Sequence, residues 1–342
     1  MLQRVTLLLC LIGLLGIDFA QAAPEPGRVY RLLLLDSQAG SPYEEVRIAM
    51  LDTLAEFGYR AGENLHLTQQ SSGNDLARGI ALLEAEQDSN PDVIYVGGTL
   101  ATIAAREVFF GARLPVVFAG TTDPVGIGVI DDFDHPPKAN FTGVCYPVPI
   151  KARLRFIHHL LPEARRFGLI YADMPQSRSY NAWLRRALEE EPLFGDFEIL
   201  FRSVPLIKGE QGDQQMAALA LPLLQELDAQ VDAFIAPNDQ LGSRSEFAKL
   251  FARHASKPLI GLVRNDVMEG WGAVAAVFPQ HGSIGRSAAE MVRDLFEGRS
   301  LSEIQPQWPE RFGYAVDLGR AQALGVRVPV GILQLAGGNI VR

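Results

Sequence analysis

Two kinds of apolar spacing alternate along this chain. Short apolar runs end on polar or glycine-bearing turns: "RVYRLLLLD" (28–36), "PDVIYVGGT" (91–99) and "LPVVFAG" (114–120). Between them, apolar residues return every three or four positions. In "SPYEEVRIAMLDTLAEFGY", Val46, Met50, Leu51, Leu54 and Phe57 share one helical face and Gly58 stops the run. "NLHLTQQ" (64–70) alternates like a strand, while "DLARGIALLEAEQ" and "LATIAAREVFF" have helical spacing. Alternating strands and helices predict parallel strands with right-handed crossovers. "FTGVCYPVPI" (141–150) closes this series with a strand and two prolines, which puts a crossing between domains near Pro147.

A second series follows. Its strands are "RFGLIYAD", "FEILFRSV", "VDAFIAPND" and "KPLIGLV", and its helices are "IKARLRFIHHLLPEA", "NAWLRRALEEE", "QQMAALALPLLQEL" and "SEFAKLFARHA". "GAVAAVFPQ" adds a strand, "SIGRSAAEMVRDLFEG" a helix, and "DLGRAQALGVRVP" a terminal helix and tail. Two α/β units of similar size suggest two lobes. In open α/β sheets, ligands sit beyond the carboxyl ends of the strands. Those ends carry Ser37, Gly98, Thr99, Thr121, Thr122 and Asp123 in the first unit, and Asp173, Asn238, Asp239 and Arg264 in the second. Such polar tips suit two facing rims of a wet cleft.

Each tip has two readings. The Thr99 hydroxyl and nearby helix-start amides would suit a ligand carboxylate, or Thr99 simply caps its helix. Asp123 either accepts from a ligand ammonium or anchors a turn before Pro124. Asn238 and Asp239 could fix a second polar group. Arg264 could grip a carboxylate bidentately, or form an ion pair between lobes. Tyr43, Tyr180 and Trp271 lie near loops, where each could stack on a ligand or pack internally.

Length and charge narrow the class. The chain has 342 residues, enough for two cores, and a net charge of −9, which argues against a nucleic-acid surface. The start, with Arg4, the apolar "VTLLLCLIGLLGI" and a small-x-small site at Ala20-Gln21-Ala22, predicts a cleaved export signal over 1–22. Of the two cysteines, Cys10 falls in that signal, so Cys145 alone remains and no internal disulfide is expected. The mature protein is expected to be soluble, exported and not membrane-embedded.

Other chemistry finds little footing. His158 and His159 are adjacent, so on a helix they diverge by about 100° and cannot share one ion. "HGSIG" (281–285) lacks the first glycine of a nucleophile elbow and opens a helix, where its serine suits a cap. "GIG" (126–128) lacks the third glycine of a dinucleotide loop. No catalytic residue, metal site or cofactor is expected, and no enzymatic activity.

The segment "LPVVFAGTTDPVGIGVIDDFDHPPKANFTGV" resembles the P-I-V-F … D-P-V-G-x-G-L-V … N-[VI]-T-G-V stretch of the ABC transporter substrate-binding protein family, extracytoplasmic proteins related to binders of tryptophan and other aromatic amino acids. "LAEFGYRAGENLHL", "PDVIYVGGTLATIAA" and "GRAQALGVRVP" resemble further segments of that family in the same order. The resemblance implies an α/β type I periplasmic-binding-protein fold, two Rossmann-like lobes with parallel sheets joined by three crossing segments. It places 28–147 plus 272–303 in lobe 1 and 148–271 plus 304–342 in lobe 2, with the "GAVAAVFPQ" strand returning to lobe 1. It also implies a periplasmic solute receptor that captures a small polar ligand, an amino acid or related carboxylate, and delivers it to an ABC permease with its ATPase. The alternative is a sensing module that signals to a membrane sensor kinase or chemoreceptor. Where relatives carry an Asn-Pro-x-x-x-x-Ser loop this chain reads "ADMPQSRSY", which makes Asp173 and Ser177 candidates on the second rim, and Cys145 stands where serine is common.

Overall fold

The computed structural model describes residues 24–342. The export signal expected at 1–22 lies outside the described residues. Among those described, no helix is long and apolar enough to cross a membrane.

The first sheet comes from the first alternating series: β1 (Tyr30–Asp36), α1 (Tyr43–Glu56), β2 (Leu65–Ser71), α2 (Leu76–Ala85), β3 (Val93–Gly97), α3 (Thr99–Phe109), β4 (Val116–Thr121) and β5 (Phe141–Cys145). Its order is β2-β1-β3-β4-β5, and all its strands are parallel. The continuous leucine run explains why β1 is an interior strand, flanked by β2 and β3. Leu32 to Leu35 are all buried, on both faces, as a parallel strand between helical layers requires. Each such leucine contributes roughly 1.5–3 kcal/mol of burial.

The second lobe runs through α4 (Ile150–Leu160), β6 (Arg166–Ala172), α5 (Pro175–Glu190), β7 (Glu198–Val204), α6 (Gly212–Asp228), β8 (Ala233–Ile235), α7 (Ser245–His254), β9 (Leu259–Gly261), the one-turn α8 (Asn265–Met268) and β10 (Ala275–Pro279). After α9 (His281–Phe296) it resumes with β11 (Phe312–Asp317), α10 (Leu318–Ala323), α11 (Val330–Ala336) and β12 (Ile340–Val341). The sheet order is β12-β11-β10-β9-β8-β6-β7.

Three features differ from the sequence reading. First, β10 belongs to the second sheet, not the first. It pairs in parallel with β9, Ala275 opposite Ile260, and antiparallel with β11, Ala276 opposite Ala315. Every residue of β10 is buried, and those two neighbours satisfy both of its edges. The chain therefore crosses back at Gln280, and only α9 returns to pack on α1 of the first lobe. Second, residues 304–307 stay with the first lobe. Thr142 Oγ1 donates to the Ile304 carbonyl at 2.8 Å, and Gln307 exchanges backbone bonds with Gly143 and Cys145. The third crossing thus follows Gln307. Third, β11 makes the second sheet mixed rather than purely parallel. The first crossing occupies the segment between β5 and α4.

The contact between α1 and α9 fastens this returning helix. Gly285 makes it possible, because a Cβ there would collide with the Val46 carbonyl and the Ala49 side chain. Gly285→Val should therefore cost about 1–3 kcal/mol, the usual range for overpacking. Urea unfolding followed by circular dichroism measures it; an unchanged midpoint would show that the two helices do not depend on this close approach.

Candidate functional site

The carboxyl edges of the two sheets face each other, and the loops leaving them meet. Asn238, just beyond β8, donates from Nδ2 to Thr122 Oγ1, just beyond β4, at 3.1 Å. Tyr43 Oη and the side-chain amide of Gln240 lie 3.2 Å apart across the same gap. Arg244 Nη2 donates to the Ala39 carbonyl at 2.7 Å. Between these contacts the lobes enclose a cavity of about 20 Å3, room for little more than one water molecule.

Five of the expected residues line this cavity: Tyr43, Thr99 and Thr122 from the first lobe, Asn238 and Asp239 from the second. Gly98 stands directly behind Tyr43. Its φ is +88°, and any Cβ there would strike the tyrosine ring and the Ser37 hydroxyl, so glycine is required. Thr99 Oγ1 accepts from the Thr122 amide at 3.1 Å, which ties the α3 start to the loop after β4. Asp239 is buried. Its Oδ2 accepts from the Ala172 amide at 2.9 Å and the Ser177 hydroxyl at 2.8 Å, and its Oδ1 from the Gly242 amide at 3.1 Å. Burial pushes this carboxyl up to about 6, against the pull of the Ser177 bond and the backbone donors. Burial likewise pushes the Tyr43 phenol up to about 12.

The other expected residues lie elsewhere, each for a visible reason. The Ser37 hydroxyl is spent inside the first lobe, donating to the Gly97 carbonyl at 2.9 Å and accepting from the Ala101 amide at 3.0 Å. Thr121 points the opposite way from Thr122, and its Oγ1 meets Thr102 Oγ1 at 2.6 Å in the interior. Ser177 is buried behind Asp239 and also donates to the Ala172 carbonyl at 2.6 Å. Asp123 is the turn anchor: its Oδ1 accepts from the Gly126 amide at 2.7 Å, outside the central cavity. Asp173 is exposed and paired with Arg178 at 2.8 Å. Arg264 is also exposed, its Nε donating to Asn339 Oδ1 at 3.0 Å. The buried Asp266 takes the amides of Leu262 and Val263 at this strand end, so the arginine is left facing outward. Of the aromatic candidates, Tyr180 is buried in one hydrophobic core and Trp271 packs, half-buried, against another.

The sequence reading missed Pro42, Tyr146, Gln176 and Ser243, which with the strand-end Gly120 complete the cavity wall. Gln176 is buried in the first turn of α5, and its Oε1 has no partner. Tyr146 sits on the first crossing. Its hydroxyl lies 3.3 Å from His281 Nε2, and His281 Nδ1 lies 2.6 Å from Glu45 Oε2. The His281 bond holds the Glu45 carboxyl below its ordinary range. The signal for Tyr146 was available, since the prolines after it already marked the crossing. Gln176 carried none, because a polar residue in a helix's first turn is ordinary.

A second set of contacts closes the edge opposite the crossings. The loop after β7 reaches the loops after β1 and β2. Gly209 donates its amide to the Gly73 carbonyl at 2.7 Å, and Lys208 pairs with Asp75 at 3.1 Å. Glu210 accepts from the Ala39 amide at 3.2 Å and the Ser71 hydroxyl at 3.0 Å.

Residues 40–192 match the family model described as ABC transporter substrate binding protein. No curated protein sequence matches the chain. Among solved structures, a conserved domain protein from Vibrio cholerae aligns with 92% of this chain and 100% of its own, at a TM-score of 0.79 and 19% identity. An ABC domain from Streptococcus pneumoniae in complex with L-Trp covers 92% of this chain and 100% of its own, with a TM-score of 0.78 and 19% identity. An ABC transporter solute binding protein from Bacillus halodurans with bound myo-inositol covers 84% and 95%, with a TM-score of 0.57 and 13% identity. With the two sheets and three crossings, these likenesses identify the architecture as the type I periplasmic-binding-protein fold.

The Asp239 carboxyl gives a pH signature. Its folded-state value of about 6 lies above the ordinary 3.8, so the folded state holds its proton more tightly. The stability this adds is fully present below about 3.8 and is lost as pH rises through about 6. Asp239→Asn has no such titration and leaves one backbone or hydroxyl donor without an acceptor. The deficit of the variant should be largest near pH 4 and shrink by pH 7. Paired denaturant titrations check this; a deficit that grows with pH would mean that the donors, not burial, govern Asp239.

Proposed function

We propose that this chain, which over residues 40–192 belongs to the ABC transporter substrate-binding family, is a periplasmic receptor that captures an amino acid or related small carboxylate between its lobes. It then delivers the solute unchanged to a membrane permease powered by a separate ATPase. Proteins of this family work outside the cytoplasm. The basic and apolar start of the chain, "MLQR" followed by "VTLLLCLIGLLGI", supports export across the inner membrane.

One observation carries the choice of ligand. Helices α1, α3 and α5 all begin at the wall of the same cavity, through Pro42 and Tyr43, Thr99, and Gln176. Each helix start presents backbone N–H groups and about half a positive charge. Three such ends from two lobes favour an anionic group on the solute. The opposite demand comes from the second lobe. The unpartnered Gln176 Oε1 and the Asp239 carboxylate are acceptors, which suits an ammonium. A zwitterion satisfies both at once.

The fold alone leaves the solute's side chain open, since neighbours of similar architecture hold L-Trp in one case and myo-inositol in another. The cavity of about 20 Å3 is far below the roughly 300–1,000 Å3 of ligand pockets, so the lobes must part to admit a solute. The crossings at one edge are the hinge, and the loop carrying Glu210 at the other edge is the latch. A solute that touches both lobes gains affinity from closure, and the closed form is the one the permease would recognise.

A thermal-shift screen of amino acids, carboxylates and neutral sugars should find its largest rise with a free amino or carboxylic acid. In calorimetry, Thr122→Ala combined with Asn238→Ala should weaken that solute at least about tenfold, roughly 1.4 kcal/mol. Arg264→Ala, outside the cavity, should stay within about twofold. Shifts confined to neutral sugars would sink the zwitterion reading. Separately, Glu210→Ala removes two bonds between the lobes, at about 0.5–1.5 kcal/mol each. It should raise the radius of gyration in small-angle scattering, and an unchanged radius would mean the latch lies elsewhere.

A further inference from the structure

The largest cavity described lies away from the central one, on the hinge side. It holds about 840 Å3, within the size range of small-molecule pockets. One wall is the loop after β4, from Asp123 to Asp134; the other is the outer face of α5; the prolines of the first crossing and Trp308 of the third form its floor. Neither the family match nor the central-cavity reading accounts for it.

Its chemistry is specific. Phe133 and Trp308 lie 4.5 Å apart at 32°, and Trp183 of α5 lies 6.4 Å from Trp308. Two of the chain's three tryptophans therefore share this groove. Trp308 is 43% exposed, a large apolar face left open to solvent. Charges of one sign dominate the rim: five carboxylates line it, against Lys151 and Arg186. Lys151 is already paired with Glu191. Asp131 and Asp132 have Lys138 and His135 beside them. Asp134 on one wall and Glu190 on the other make no salt bridge among the described residues. Open indole faces next to carboxylates attract planar cations through ring and charge together.

We infer that this hinge-side groove is a second binding site, and that it takes a small aromatic organic cation. The ring lies against Trp308 and Trp183, and the positive group sits between Asp134 and Glu190. The site is independent of the solute held in the central cavity.

Benzyltrimethylammonium is the probe, titrated into the full-length mature chain by isothermal calorimetry. Saturable one-to-one binding is expected. Tetramethylammonium, which lacks the ring, and benzenesulfonate, which reverses the charge, should each bind at least about tenfold more weakly. Trp308→Ala should lose at least about tenfold in affinity, while Trp308→Phe, which keeps a ring in place, retains most of it. Asp134→Asn with Glu190→Gln should also lose about tenfold. The Thr122→Ala, Asn238→Ala variant, altered only in the central cavity, should bind the probe normally. Absence of saturable heat, equal binding by benzenesulfonate, or indifference to Trp308→Ala would overturn the inference. Loss of binding in the central-cavity variant would do so too, because the probe would then be sitting between the lobes.

Discussion

Polar groups at the carboxyl edge of a parallel sheet must be either wet or paired, and this molecule arranges for both. Burying an unpartnered amide or hydroxyl costs about 1–3 kcal/mol, whereas exchanging a water bond for a protein bond gains only about 0.5–1.5. Here the two edges face each other, so the partner each needs is on the other lobe: Thr122 for Asn238, Gly73 for Gly209, Ala39 and Ser71 for Glu210. When the lobes part, water takes up the same groups. On the proposed reading the closed state would then be preferred only slightly, and a solute with a few well-placed bonds would decide the balance. A greasy interface of the same size would hold the lobes shut.

The asymmetry of the interface follows from the sheet order. In the first sheet β5 is one edge and β2 the other, and the chain leaves for the second lobe directly after β5. The covalent crossings are thus gathered near one edge, and the Glu210 contacts near the opposite one. On the proposed hinge reading, opening would move the latch side most and the Tyr146–His281–Glu45 chain least, because Tyr146 lies on the first crossing, His281 directly follows the second, and Glu45 is on the helix that α9 grips. The groove beneath Trp308 lies on the side of the crossings, away from the Glu210 contacts.

Much of this was legible in the sequence. Apolar runs and helical spacing marked both lobes, and the rule that ligands gather at strand ends pointed to Thr99, Thr122, Asn238 and Asp239, which share one cavity with the loop aromatic Tyr43. The rule fails on parity. Successive residues leaving a strand point to opposite sides, so Thr121 faces α3 while Thr122 faces the gap. It fails again where a buried neighbour has already satisfied the strand end, as Asp266 does beside Arg264. The misplaced β10 has a different cause. An apolar strand is equally at home in either sheet, and only its partners β9 and β11, far apart in sequence, decide which one. The strand β11 itself went unread, because a short alternating stretch after two prolines resembles a loop.

Asn238 and Asp239 show how adjacent residues divide the work of such a site. All the acceptor bonds of Asp239 come from its own lobe, through Ala172, Ser177 and Gly242. None of these bonds depends on the other lobe, so on the proposed reading an arriving solute would meet a carboxylate already in place. The Asn238 amide instead finds its partner on the opposite lobe. On the proposed reading, parting of the lobes would free this amide to turn toward a solute. Under that proposal, preorganisation on one residue and adaptability on the next would let the second lobe receive a ligand first and commit to closure afterwards, with little cost in reordering at either step.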